Sequence, residues 1–137
     1  MGAKAVSFFI RDRLTKKDIE SAFATFQRFV VEDDPLGYGW AIKVAPDRYV
    51  FLEDGTEGIS TMPPEMVRKA AKALRIRFGK PKSRLIAMFD DTHDPDEDDL
   101  VWRAVFDIAR VFNKRWPTVV DDHAGTTYDF DDEKLPR

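Results

Sequence analysis

The chain has 137 residues, 43% of them hydrophobic and 12% aromatic, with a formal net charge of −3 and no cysteine. That composition fits one folded domain over 1–137 with a substantial core, and we expect a frayed tail over 131–137. Without cysteine there are no disulfides, thiol catalysis or thiolate zinc sites, and the small net charge leaves any electrostatic function to local clusters.

The first apolar run stops at Arg11, too short for a signal sequence or a membrane span, so a cytoplasmic, membrane-free protein is expected. Val6, Phe8 and Ile10 alternate on one face of a strand over 5–10. Thr15 then reads as a helix N-cap with Asp18 in the capping-box position. Ile19, Ala22, Phe23, Phe26 and Val30 follow at helical spacing, and Glu32 to Gly37 reads as the exposed loop that ends this helix. Trp40, Ile42 and Val44 alternate next, and a turn at 45–48 leads to a return strand over 49–52.

A second helix is expected from Pro63-Pro64 to Phe78, with Val67, Ala70, Ala71, Leu74 and Phe78 on its apolar face and Gly79 past its end. Residues 84–89 are uniformly apolar enough for a central strand. A third helix opening at Asp98 or Asp99 carries Val101, Ala104, Val105, Ile108 and Phe112, stopped by Trp116-Pro117. A last hairpin pairs 118–121 with 126–130 around His123-Ala124-Gly125. The order β-α-β-β-α-β-α-β-β makes an α+β domain, three helices covering one face of a mostly antiparallel sheet. Its first six elements match the ferredoxin-like βαββαβ unit.

Chemistry has few places to reside. The segment Asp90 to Asp99 holds seven acids in ten residues. Asp94, Asp96 and Asp98 imitate the start of a calcium loop, but the sixth and twelfth positions hold Asp99 and Val105 where Gly and Glu are needed. A magnesium-dependent phosphoryl-transfer site lacks its glycine-rich loop and lysine. His93 and His123 each follow an Asp pair, so a mixed His/Asp metal site requires their two loops to meet. Ser7, Ser21, Ser60 and Ser83 stand in no spacing with a base. We therefore expect no enzyme, no cofactor and no metal.

Charge, in contrast, is segregated. Eight basic residues and no acid lie between Arg68 and Arg84, whereas six acids and no Lys or Arg lie between Asp121 and Glu133. The basic helix admits a nucleic-acid-binding or regulatory reading, disfavoured by the acidic sequence pI of 5.4 and by the lack of an aromatic RNA-binding strand pattern. Small size, absent cysteine, helices on a sheet, acidic loops such as Asp90 to Asp99, and the close Trp116-Pro117-Thr118-Val119-Val120-Asp121-Asp122-His123-Ala124-Gly125 resemble the small acidic immunity proteins of bacteria. The resemblance implies a protein that binds and occludes a cognate toxin, with Asp90, Asp91, Asp94, Asp96, Asp121 and Asp122 steering to it and Trp102 and Tyr128 anchoring. A small metal-binding protein or enzyme using the His/Asp loops is the third reading.

Overall fold

The computed structural model describes residues 3–34, 37, 39–90 and 95–130. The first strand, β1 (Ala3–Ile10), leads through Thr15 into α1 (Lys16–Phe23). The expected capping box is present: Asp18 N–H donates to Thr15 Oγ1 at 3.2 Å and Thr15 N–H donates to Asp18 Oδ2 at 2.8 Å. The Thr15 N–H, together with its hydroxyl, holds the Asp18 carboxyl below its ordinary pKa. The helix is shorter than its periodicity predicts. Thr25 Oγ1 donates to the Ala22 carbonyl at 2.6 Å, and the β-branched and aromatic run that follows becomes β2 (Val30–Asp33). Glu32 and Asp33, expected in a loop, belong to that edge strand.

β3 (Gly39–Ala45) and β4 (Arg48–Asp54) form the expected hairpin. A 3-10 turn over Thr56–Thr61 then leads into α2 (Pro64–Ala73). This helix stops at Leu74. Arg75 takes a left-handed φ of +59°, its N–H bonds to the Lys72 carbonyl, and Ile76 N–H bonds to the Ala71 carbonyl. That is a Schellman ending with arginine where glycine is usual. Phe78 is therefore not on a helical core face but 92% exposed.

β5 (Ser83–Asp90) is the middle strand, as its apolar sequence predicts. α3 (Pro95–Asn113) begins several residues before Asp98, at a proline that tolerates the first turn because its missing N–H has no partner there anyway. The acidic segment is thus partly helical rather than a loop to Asp99. β6 (Thr118–Asp121) and β7 (Thr127–Asp129) close the sheet. Residues 91–94 and the tail over 131–137 lie outside the described residues.

The seven strands run in the order β2-β3-β4-β5-β1-β6-β7, every pairing antiparallel. A ferredoxin-like arrangement is present, built from other elements than the first six read in sequence. β1, α1, β4, β5, α3 and β6 have that connectivity, and β6-β1-β5-β4 is its strand order. The β2–β3 pair and β7 extend the two edges. α2 is an insertion on the opposite face, so the expectation of three helices on one face is wrong.

The reason lies in strands buried on both sides. Val6, Phe8 and Ile10 of β1 join Leu85, Ala87, Phe89 and Val120 beneath α1 and α3, where Ile19, Val105, Phe106, Ile108 and Phe112 complete the main core. Phe9 and Val119 point the other way and pack with Ile59, Val67, Ala70 and Leu74 of the turn and α2. Each fully buried Phe stabilises the fold by about 1.5–3 kcal/mol, so both layers matter.

Candidate functional site

The proposed anchors and acids fall into three settings. Trp102 and Tyr128 both pack on Phe106, with ring centroids 6.0 and 5.1 Å away, and Trp102 also meets Phe89 edge-on at 5.1 Å. Lys4 Nζ stands 5.3 Å from the Trp102 ring centroid. Both anchors are half-buried in one aromatic row at the rim of the main core. Asp90 is exposed at the end of β5, and its carbonyl accepts from Arg48 at 3.2 Å. Asp91 and Asp94 lie outside the described residues, and Asp96 falls in the first turn of α3.

Asp121 and Asp122 are turn-builders. Asp121 is 3% exposed; its Oδ1 accepts from His123 N–H at 2.8 Å. Asp122 Oδ1 accepts from the N–H groups of Ala124 (2.8 Å) and Thr126 (3.0 Å), and His123 takes a left-handed φ of +59° between them. A carboxylate so buried and so engaged presents little charge to a partner, so the steering role expected of Asp121 does not fit its setting.

That turn folds His123 back onto Ser7. Ser7 is fully buried on β1, directly across from Asp121 in register. Its Oγ lies 2.6 Å from His123 Nε2 and accepts from Arg84 Nε at 2.8 Å. Arg84 can only donate, so the Ser7 hydroxyl proton is available to a neutral imidazole. Burial pushes the His123 pKa down, Asp121 counters it, and Arg84 adds to the depression. The guanidinium of Arg84 is likewise lowered by burial, against the opposing pull of Glu53 and Asp121. The pattern brings a hydroxyl and a base together, which sequence spacing did not reveal because the residues are 116 apart. It is not an exposed nucleophile. Ser7 has no solvent-facing surface, and Asp121 holds the His123 backbone instead of the imidazole.

Of the two histidines in the mixed His/Asp metal reading, His123 belongs to the described residues. β5 and β6 are separated by β1, and among the described residues no cluster of three His, Cys, Asp or Glu has metal-binding geometry. His93 lies outside the described residues.

An exposed apolar surface lies elsewhere, on the second face of the sheet. There α2 packs on β6 and β7, and the 3-10 turn packs on β5. The β2–β4 side of that face carries Val30, 58% exposed, and Phe51, 37% exposed, with Tyr49 stacked beside Phe51 at 6.1 Å. Met88 is the register partner of Phe51, two residues before the exposed Asp90. Sequence analysis missed this surface although a signal existed. Tyr49-Val50-Phe51-Leu52 is apolar without alternation, as in a strand with both faces covered. No helix of the described residues is long and apolar enough to cross a membrane. Comparison with protein-family models, curated proteins and solved structures finds no match to this chain.

Proposed function

We propose that this chain is a protein-binding module of the immunity-protein kind, which occludes a cognate toxin. The observation that carries the reading is the second face of β2–β4, where Phe51 stands exposed across from Met88 near the acidic end of β5 and Val30 stands exposed on the edge strand. A protein that leaves large apolar groups on a rigid sheet has a surface suited to a partner. Asp90 and the acidic run after it supply negative charge at the same end of the sheet, which steers a basic toxin surface and raises its association rate. The apolar anchors are then Phe51 and Val30, with Trp102 and Tyr128 holding the aromatic row behind the acidic corner.

The test is co-expression in bacteria with the product of each adjacent open reading frame. The proposal expects one product to arrest growth alone, the chain to restore growth, and the two to purify as a stoichiometric complex. If no adjacent product arrests growth, or the chain relieves none of them, the reading is wrong.

A further inference from the structure

A positively charged surface lies at the other end of the sheet, and the proposed toxin contact does not use it. α2 ends at Leu74, and the chain returns to β5 through Arg75-Ile76-Arg77-Phe78-Gly79-Lys80-Pro81-Lys82. Arg77, Lys80 and Lys82 are exposed, and Phe78 between them is 92% exposed. No salt bridge joins these three cations to an acid of the described residues. Beside the loop runs a groove of about 280 Å³ with Ile59, Met62 and Val67 in its wall and Arg68 and Lys80 on its rim.

We infer that this loop and groove bind single-stranded nucleic acid. Three exposed cations within four positions of an exposed ring suit a chain that alternates anionic phosphates with flat bases. Phosphates are neutralised by Arg and Lys, while any base stacks on an exposed aromatic. The apolar groove gives a second base a place out of water. A duplex hides its bases and gains only the charge term. The acidic run that begins at Asp90 does not oppose this locally. Ser83 and Asp90 lie at opposite ends of β5, seven residue steps or roughly 23 Å apart at about 3.3 Å per residue. That exceeds two Debye lengths of about 8 Å at physiological salt.

The test is fluorescence anisotropy of the full chain with a labelled 12-nucleotide poly(dT), the corresponding poly(dA)·poly(dT) duplex, and vesicles of phosphatidylserine and phosphatidylcholine. The single strand should bind more tightly than the duplex, with log affinity falling against log salt at a slope of roughly −2 for three phosphate contacts. Phe78→Ala should weaken it about five- to hundredfold while leaving that slope unchanged. Arg77→Gln with Lys80→Gln should instead flatten the slope by roughly 1.4. Phe78 and both cations are exposed, so circular dichroism and melting should match the parent chain. Absence of single-strand binding at low salt, tighter binding to the duplex, indifference to Phe78→Ala, or binding to vesicles alone would overturn the inference. These variants leave Phe51 and Asp90 intact, so toxin neutralisation is scored separately.

Discussion

Removing one oxygen tests the polar node on the second face. In Ser7→Ala, Arg84 Nε loses its 2.8 Å acceptor and His123 Nε2 loses its 2.6 Å partner. A hydrogen bond to a charged group contributes about 1.5–3 kcal/mol and a neutral one about 0.5–1.5 kcal/mol. Arg84 is only partly buried and His123 is exposed, so water recovers some of each, and the net loss should be about 1.5–2.5 kcal/mol. Urea melts at pH 7.5 would show a lower midpoint with an unchanged slope.

The same node sets a pH dependence. His123 has its folded pKa lowered below the ordinary 6.5, so near and above pH 7 it is neutral in both states and its environment costs nothing. As pH falls through 6.5 the unfolded chain takes up a proton that the folded chain resists, and stability should decline. His123→Gln should flatten that decline between pH 6.5 and 5. A loss under about 0.5 kcal/mol in Ser7→Ala, or a pH profile identical with and without His123, would refute this account of the node.

Two further substitutions check the layers. Ile108→Ala, at a fully buried site under the main core, should cost about 2–5 kcal/mol in the same melts; a loss below about 1 kcal/mol would place α3 off the sheet. Arg75→Gly should raise stability by about 0.5–1 kcal/mol, because glycine relieves the left-handed φ at the end of α2. A destabilised Arg75→Gly protein would argue against the Schellman ending.

Local patterns carried much of the fold. The alternation of Val6, Phe8 and Ile10, the Thr15–Asp18 capping box and the apolar run over 84–89 each correspond to an observed element. What periodicity could not resolve was where apolar spacing crosses an element boundary. Val30 and Phe78 continue the helical spacing of α1 and α2, yet one lies in a strand and the other in an exposed loop. Nor does spacing say which side of a sheet a helix covers. Phe9 and Val119, the intervening residues of β1 and β6, were the only hint that α2 takes the second face. The candidate site was less legible. Charge segregation is written in the sequence, but the burial of Asp121 and the meeting of Ser7 with His123 depend on pairing residues more than a hundred positions apart.

The most direct test of the binding role compares two variants against the growth-arresting product of the adjacent gene, by surface plasmon resonance at two salt concentrations. Phe51→Ser should speed dissociation and weaken the complex at least tenfold, as expected where an exposed aromatic anchors the contact. Asp90→Asn should mainly slow association and reduce its salt dependence. Unchanged affinity in Phe51→Ser, with the parent melting curve, would contradict the assignment of the open sheet face as the partner surface.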